Sequence, residues 1–574
     1  MTASDIWFGA QLVAACVGLP LLLVAVFVNV HIFPLLDQFG VPCPASLASS
    51  WQQVYESYVA APLTTYLLPH LPKPLANFTE SLVTSGESLE HLADRAAEGA
   101  TALYQGLVGS HGCLLSWGTV ATTAAAILVR LGVNPATAEA WTGVGGPFPY
   151  KTFVIAVSTA VYLFETYLSY RQHRKLKQKS RPATITTIVS QDDFQRANAY
   201  GLDKSRFSFI QSFVGQAQTL LFLHFDAIPW LWAHIGEAMW HLAGMDSTYE
   251  ITQSVAFFMA TTFITTLLSV PFNIYYTFVI EERHGFNKQT LGLFFADIVK
   301  GFAVGGAIGI PAISGFLRII QWAGPSFYLY VWAFVVVLQI TLITIYPTLI
   351  QPLFNKFTPL EAGDLRTRIE ALAARVHFPL TQLYVIDGSR RSAHSNAYFY
   401  GFFKQKRIVL YDTLLEHTDT DEICAVLGHE LGHWQMNHVA KFFLITQAHT
   451  FTLFYLFSRV INSPTMYESF GFHQAAPLLI GFMIFQYLYI PVESLMSFAM
   501  NVLSRHNEFE ADSYAIRLGY AAPLSTALVK LQLKNLGNMN PDPWYSAYHY
   551  SHPPLVERLN AIEQVAAEEM KKTG

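Results

Sequence analysis

Residues 327–350 read FYLYVWAFVVVLQITLITIYPTLI, a run of 24 residues without one charged side chain. About 20 apolar residues in a helix are enough to cross the hydrocarbon core of a bilayer. Similar segments recur along the chain, and eight of them in one sequence argue against a soluble helical protein. The predicted spans are 7–34, 152–170, 208–233, 255–280, 295–322, 327–350, 442–462 and 476–500. The sequence therefore predicts a mainly α-helical, polytopic membrane protein.

The composition of the 574 residues agrees with a membrane protein. Hydrophobic residues make up 52% of the chain and charged residues 13%, about half the charged share that is usual in soluble domains. The formal net charge of −5 provides no basic field, so we expect no nucleic-acid partner. The four cysteines include no CxxC pair, which argues against both a disulfide scaffold and cysteine–zinc chemistry.

The N-terminal region leaves two topologies open. The run 7–34 is too long for a signal peptide and no basic residue precedes it, so we expect a retained span. Segment 114–133 is a weaker ninth candidate. If it spans, the sequon at Asn77 faces the cytosol and stays unmodified. If it does not, Asn77 is lumenal, and Cys43 and Cys113 share an oxidising compartment in which they could pair.

The densest basic cluster sets the orientation of the membrane segments. Residues 171–181 read RQHRKLKQKSR directly after a predicted span, so the positive-inside rule assigns that end to the cytosol. Alternation of the spans then puts the polar stretch 351–441 and the tail from residue 501 on the cytosolic side as well. Two polar regions that face the same compartment can build one site together.

The polar stretch 351–441 has the pattern of a small α/β unit. Residues 363–376 have the periodicity of an amphipathic helix, and residues 382–387 and 406–412 have the composition of strands. A second helix is predicted to begin near Asp419. This second helix carries the residues on which the functional prediction depends.

The motif LGHELGHW occupies residues 427–434. His429 and His433 are four residues apart, so a helix places both imidazoles on one face, toward a common point. Glu430 can reach a metal-bound water without being a ligand. This is the HExxH arrangement, in which two histidines bind zinc and the glutamate is the general base. Three fixed residues in five also occur by chance, and two ordinary surface or core histidines are the alternative.

The third protein ligand distinguishes the classes of HExxH enzyme. Metzincins use a histidine at the position that Val439 occupies here. His438 is one residue out of that register, so the sequence argues against a metzincin. The remaining possibility is a glutamate from a separate helix.

The segment SRHNEFEADSYAIRLG, residues 504–519, supplies such a glutamate. Glu508 and Asp512 are four apart and share a helix face, whereas Glu510 points away from it by more than a third of a turn. We therefore predict Glu508 as the third zinc ligand and Asp512 as an acceptor for a histidine N–H. The alternative is a solvated acidic helix surface.

Several motifs resemble those of the type I CAAX prenyl proteases, integral-membrane zinc enzymes that process a-factor and prelamin A. The segments that carry the resemblance are FETYLSYRQHR (164–174), YEITQS (249–254), YYTFVIEERHGFNKQTLG (275–292), SAHSNAYFYGFFKQKRIVLYDTLLE (392–416), AVLGHELGHW (425–434), LSRHNEFEAD (503–512) and HYSHPPLVERL (549–559). They extend over roughly 70% of the chain. The first 150 residues have no counterpart in the pattern and add one or two spans.

The resemblance implies a fold and a division of the chain. Family members enclose a chamber within seven spans, and the seven spans predicted from residue 152 onward fit that number. We predict an N-terminal extension (1–150), a five-span region (151–350), a zinc protease domain with the HExxH helix (351–441), a two-span hairpin (442–500) and a C-terminal part of the protease domain that carries the third ligand (501–574).

The resemblance also implies further site residues and a reaction. It places Asn396 and His552 beside the scissile carbonyl, Asn396 on the edge of the bound peptide and His552 at the oxyanion. A turn asparagine and a helix-capping histidine are the readings without it. Arg558 matches the motif arginine and is expected to be a structural charge partner. The implied reaction removes the last three residues of a prenylated CaaX end, with a second upstream cleavage in some substrates, by one zinc ion per chain.

The implied setting is a multi-pass protein of the endoplasmic reticulum membrane, and the inner nuclear membrane is a second candidate. Lys571 and Lys572 are the fourth and third residues from the end, as in a dilysine retrieval signal. We expect prenylated proteins and lipid as partners and a monomer. The alternatives are a quality-control metalloprotease without prenyl selectivity, a carrier or channel, and a scaffold with a decayed site.

Overall fold

The structure is a computed structural model that describes residues 148–401 and 406–573. Its helices are α1 (Tyr150–Leu176), α2 (Gln191–His224), α3 (Ala227–Ala243), α4 (Glu250–Tyr275), α5 (Leu291–Ala323), α6 (Phe327–Ile345), α7 (Asp364–Arg375), α8 (Asp412–His417), α9 (Thr420–Gln435), α10 (His438–Val460), α11 (Pro464–Ser469), α12 (Leu478–Arg517), α13 (Ala521–Lys534), α14 (Pro543–His549) and α15 (Leu555–Thr573). The strands are β1 (Phe357–Pro359), β2 (Leu380–Ile386), β3 (Ala397–Tyr400) and β4 (Lys406–Tyr411). The predictions for 7–34, 114–133, Asn77, Cys43 and Cys113 lie outside the described residues.

Four helical stretches of the described residues are long and apolar enough to cross a membrane, judged by length and composition. They are Tyr150–Leu176, Glu250–Glu281, Leu291–Leu353 and Leu478–Arg517. The third of them contains α5 and α6, so these stretches account for five of the seven spans predicted from residue 152 onward. The number of spans and their orientation stay predictions.

The other two predicted spans, 208–233 and 442–462, are not among these four stretches. Segment 442–462 lies almost wholly in α10, which is 23 residues long. The prediction of a single helix over 208–233 is wrong, because α2 ends at His224 and α3 begins at Ala227. Asp226 lies between them with a φ of 50°, a left-handed conformation that no helix continues through.

The described residues form two compact units, each with its own apolar core. The first unit contains residues 148–167, Gly215–Trp230 and Arg459–Leu495. Its core contains Ile484 and Phe485, which are fully buried. The second unit contains Leu168–Val214, the described residues of Leu231–Ser458, and residues 496–573, and all the predicted site residues belong to it.

A four-stranded sheet supports the predicted motif helix in the second unit. The strand order is β1-β2-β4-β3, with β2 and β4 parallel and the two outer pairs antiparallel. The helix predicted over 363–376 and the strands predicted at 382–387 and 406–412 are present as α7, β2 and β4. Strand β3 is an edge of this sheet and lies against α9.

Helix α9 has two faces that serve different purposes. Ile423, Leu427 and Leu431 repeat every four residues and are buried in the core that the sheet and α7 share. Because two further residues turn a helix by about 200°, His429 and His433 lie on the opposite side from this stripe. The apolar stripe therefore fixes the direction in which the two imidazoles point.

Candidate metal centre

Helix α9 begins with the cap that the sequence predicts. The side chain of Asp419 accepts a hydrogen bond of 3.0 Å from the backbone N–H of Glu422, and the side chain of Glu422 accepts one of 3.0 Å from the backbone N–H of Asp419. This capping box satisfies two of the N–H groups that a helix start leaves unpaired. Lys530 from α13 also pairs with Glu422, at 2.6 Å. The capping box and the ion pair with Lys530 thus both stabilise the start of helix α9.

A glycine lets α9 approach α12 closely at the site. A Cβ atom added at Gly432 would lie 3.0 Å from the Cα atom and 3.1 Å from the carbonyl oxygen of Ala511. These are backbone atoms, so they cannot move aside as a flexible side chain would. Gly432 precedes His433, and Ala511 precedes Asp512, so the close approach is made beside the predicted metal residues.

We expect Gly432→Ala to separate the two helices and to destabilise the protein. Gly428→Ala is the matched control, because it lies one turn earlier on α9 and its added Cβ would meet only side chains, at 3.5 to 3.7 Å. Both variants gain the same helix propensity, so their difference isolates the overpacking, which costs about 1–3 kcal/mol. Thermal unfolding of the purified proteins in detergent measures it. Equal melting temperatures would contradict the close approach as the reason for glycine at this position.

Three side chains present donor atoms to a common point. The Nε2 atoms of His429 and His433 are 3.2 Å apart. Glu508 Oε1 is 3.2 Å from His433 Nε2, and Glu508 Oε2 is 3.5 Å from His429 Nε2. One donor atom from each of the three side chains lies within 4.8 Å of the others. The predicted zinc residues are thus together in the structure, on α9 and α12.

The donor set fits a tetrahedral zinc ion. Ligands about 2.0–2.1 Å from zinc are about 3.3–3.4 Å from one another, close to the distances found here. Glu508 Oε2 is buried and accepts no hydrogen bond, although Arg558 Nη1 lies 3.4 Å away. A buried carboxylate oxygen without a hydrogen bond is costly unless a cation compensates it. Two imidazoles and one carboxylate are also a set that catalytic zinc sites use.

The electrostatics of His429 favour a cation at the same point. Burial by itself would lower the pKa of His429, but the hydrogen bond with Asp512 and the neighbouring carboxylate of Glu508 raise that pKa to about 9. The surrounding carboxylates therefore stabilise positive charge on or beside this ring. A metal cation can satisfy the same negative field with the ring neutral.

The far side of the His429 ring is held by a buried ion pair. His429 Nδ1 is 2.8 Å from Asp512 Oδ1. Arg558 donates to both oxygens of Asp512, from Nε to Oδ2 at 2.9 Å and from Nη2 to Oδ1 at 2.6 Å. A carboxylate at Nδ1 keeps the proton there and leaves the lone pair of Nε2 free for a metal. Asp512 thus has the contact that the sequence predicts, and Arg558 is its charge partner.

The other predicted site residues differ in their exposure and in their contacts. Glu430 is half-buried, and its loss of solvent contact raises the pKa of its carboxyl above the usual value. His552 is 64% exposed and its Nε2 lies 3.4 Å from Glu508 Oε1, so it borders the donor cluster. Asn396 is exposed, immediately before β3, and its side-chain oxygen accepts from the backbone N–H of Ala397 at 2.8 Å.

His438, which is out of the metzincin register, and Glu510, which helical spacing turns away from Glu508, also meet here. His438 Nε2 is 3.0 Å from Glu510 Oε2, and His438 Nδ1 is 2.9 Å from His433 Nδ1. One signal for this contact is present in the sequence, and it is Asn437. Asparagine is common in the left-handed conformation that ends a helix, and Asn437 has a φ of 57° between α9 and α10.

Long apolar helices together with an HExxH helix and a remote glutamate define the class of membrane metallopeptidases. The family models agree with this. Residues 172–356 match the "CAAX prenyl protease N-terminal, five membrane helices" family, and residues 359–566 match "Peptidase family M48". The metallopeptidase family implies a metal cofactor.

Named relatives match most of the chain. It is 48% identical over 416 residues to a "CAAX prenyl protease 1 homolog" of Oryza sativa subsp. japonica, covering 72% of this chain and 97% of the relative. It is 42% identical over 438 residues to "CAAX prenyl protease 1" of Saccharomyces cerevisiae, covering 73% and 96%. The crystal structure of S. mikatae Ste24p superposes with a TM-score of 0.68 at 42% identity, over 72% of this chain and 99% of that one. The chain belongs to the CAAX prenyl protease 1 family and is a multi-pass membrane metalloprotease.

Proposed function

We propose that this protein is a zinc-dependent endopeptidase that removes the C-terminal aaX tripeptide from prenylated CaaX proteins. The observation that carries the proposal is the convergence of His429, His433 and Glu508, with Glu430 on the same helix as the two histidines. It occurs in a chain whose relatives are named CAAX prenyl proteases. A second, upstream cleavage in some substrates is part of the proposal.

The proposed roles divide between holding the ion and moving protons. His429, His433 and Glu508 would hold one zinc ion per chain. When bound, zinc supplies a Lewis acid that activates water for attack on a peptide carbonyl. Glu430 accepts the proton of the attacking water on its carboxylate and returns it to the leaving amine. The raised pKa of Glu430 brings this carboxyl nearer to the working pH, which suits a group that must do both.

His552 and Asn396 are proposed to handle the substrate. The position of His552 beside Glu508 supports donation from its ring to the oxyanion that forms at the attacked carbonyl. Strand β3 is a sheet edge that follows Asn396 directly, so an extended peptide could pair with it as a further strand. The Asn396 amide would then hold the edge of that peptide. Asp512 and Arg558 act through His429.

The proposed setting is the endoplasmic reticulum membrane, with lipid and prenylated proteins as partners and with the metal centre facing the cytosol. The basic segment 171–181 supports this orientation. The unit that contains the metal centre also contains α4, α5 and α6, whose exposed apolar side chains suit a lipid environment. We also propose that the chain divides at residues 150, 350, 441 and 500 and that the protein is a monomer. The boundary at 500 lies within α12.

A cleavage assay on matched peptides tests the function. We expect the purified protein to cut a farnesylated CaaX peptide much faster than the same peptide without the lipid. Burial of only three CH₂-sized groups of the prenyl chain contributes about 2.4 kcal/mol, or about 60-fold in kcat/KM. A chelator should abolish the cleavage, and added zinc should restore it. Activity that resists chelation would overturn the proposal.

The second candidate, a quality-control protease without prenyl selectivity, makes a different prediction in the same assay. It predicts equal kcat/KM for the two peptides with the same sensitivity to chelation. Glu430→Gln serves as the blank for each peptide, so that a contaminating protease is not counted. The names of the relatives do not favour this candidate.

A further inference from the structure

Behind His433 lies a pair of side chains that no sequence prediction connects with the metal centre. His438 is the first residue of α10, is 2% exposed, and presents Nδ1 to His433 Nδ1 at 2.9 Å. Its other nitrogen, Nε2, lies 3.0 Å from Glu510 Oε2. The two imidazole rings meet edge to face, with centroids 5.1 Å apart. The three side chains form a continuous line that ends at the metal-facing nitrogen of His433.

Hydrogen-bond chemistry allows one proton order along this line when both rings are neutral. An ionised carboxylate only accepts, so Nε2 of His438 carries the proton that Glu510 binds. The Nδ1 atom of His438 is then an acceptor and takes the proton of His433 Nδ1. This leaves the lone pair of His433 Nε2 free. The opposite order would put a proton on the atom that faces the predicted metal position.

We propose that His438 and Glu510 are positioning residues that fix the tautomer and the ring orientation of the metal ligand His433. The inference rests on the proposed metal centre. It explains how each histidine ligand obtains an acceptor at its far nitrogen. His429 has Asp512 in direct contact, whereas His433 is reached by a carboxylate through an intervening imidazole. Helix α12 would thus supply three carboxylates with three tasks, of which one holds the ion and two orient its histidines.

The local backbone supports this division of labour. Helix α9 ends at Gln435, and the left-handed Asn437 turns the chain so that α10 starts beside His433. If the helix continued, residue 438 would lie about 140° around the axis from residue 433, after one full turn, and would therefore point away from the metal-facing side. The turn puts the His438 ring against the far edge of the ligand.

The test is the zinc affinity of the full-length protein, measured by competition with a chromogenic chelator at one pH. We expect His438→Ala to weaken zinc binding about 10–100-fold, the usual cost of losing a group that orients a metal ligand. His438→Asn should bind zinc much more tightly than His438→Ala, because its amide oxygen can occupy the position of Nδ1 and accept from His433. The absorption bands of the cobalt-substituted protein should shift in His438→Ala and stay close to those of the unchanged protein in His438→Asn.

A second pair of variants tests the same role without a substitution at the buried residue His438. Glu510→Ala alters a side chain that is 38% exposed and should weaken zinc binding in the same direction as His438→Ala, by less. His506→Ala is the matched control, because His506 also faces Glu510, at 3.7 Å, but is 68% exposed. It lies two residues before Glu508, about 200° around the axis of α12, and so on the other side of the helix from that ligand. Zinc affinity should be unchanged in His506→Ala.

The outcomes separate this inference from the proposed function. If the unchanged protein binds zinc no better than His433→Ala, the proposed metal centre itself is wrong. If it binds zinc tightly and His438→Ala binds equally tightly, only the positioning role fails. An equal loss in His438→Ala and His438→Asn would also overturn it, since packing alone would then explain the effect. If neither His438 variant folds, equal affinities of Glu510→Ala and His506→Ala would overturn the positioning role in the same way.

Discussion

Glu430→Gln is expected to abolish cleavage of the farnesylated peptide while the protein keeps its zinc. The amide has nearly the shape of the carboxylate but cannot accept the proton of the attacking water. Loss of a positioned general base lowers kcat by about 10²–10⁴-fold. Because Glu430 is not among the three donors of the cluster, the metal content should stay at one ion per chain. Metal analysis and a single-turnover cleavage assay on the same sample test both statements.

Glu557→Gln is the control for this variant. Glu557 is exposed on α15, next to Arg558 in sequence, and the same chemical change there should leave kcat within experimental error. A Glu430→Gln protein that retains most of its activity would argue against Glu430 as the base. A variant that loses its zinc would show that Glu430 helps to hold the ion, which the geometry does not predict.

The metal-facing side of the site could be anticipated because helical spacing is regular. Two histidines four apart must share a face, and the same rule selects Glu508 with Asp512 over Glu510 on a second helix. The structure brings these side chains together at the distances described above. Their roles in catalysis stay proposals. Arg558 could not be found by spacing, because it lies on a third helix, and only the resemblance indicated it.

The far side of His433 could not be anticipated from helical spacing, because it depends on where α9 stops, and only Asn437 signals that end in the sequence. Residue counting from the motif assumes that the helix continues, and on that assumption His438 matters only as a ligand in another register. Asn437 ends the helix, and after that turn the residue number no longer gives the direction of a side chain. The apolar pattern wrongly predicted a single helix over 208–233 for a related reason. Both flanks of the break at Asp226 are apolar, so the pattern continues where the helix does not.

Arg558→Met is expected to be the most destabilising single change that leaves the three donors intact. Arg558 is 8% exposed and Asp512 is 2% exposed, and the guanidinium donates to both oxygens of that carboxylate. Removal of Arg558 leaves the buried Asp512 carboxylate with His429 as its remaining partner, and breaking a buried ion pair in this way costs about 3–5 kcal/mol. Thermal unfolding in detergent should show a large fall in Tm, and cleavage should fall with it because His429 loses its fixed support.

Two further variants identify the cause of that loss. Arg517→Met changes an arginine of α12 that is 60% exposed and 3.8 Å from Glu569, and exposed pairs of this kind contribute about 0–1 kcal/mol. Asp512→Asn combined with Arg558→Met removes the unpaired charge but keeps an acceptor for His429 Nδ1. If the buried charge causes the loss, the double variant melts at a higher temperature than Arg558→Met alone. If the double variant melts lower instead, the arginine stabilises the site by packing, and the buried charge is not the cause of the loss.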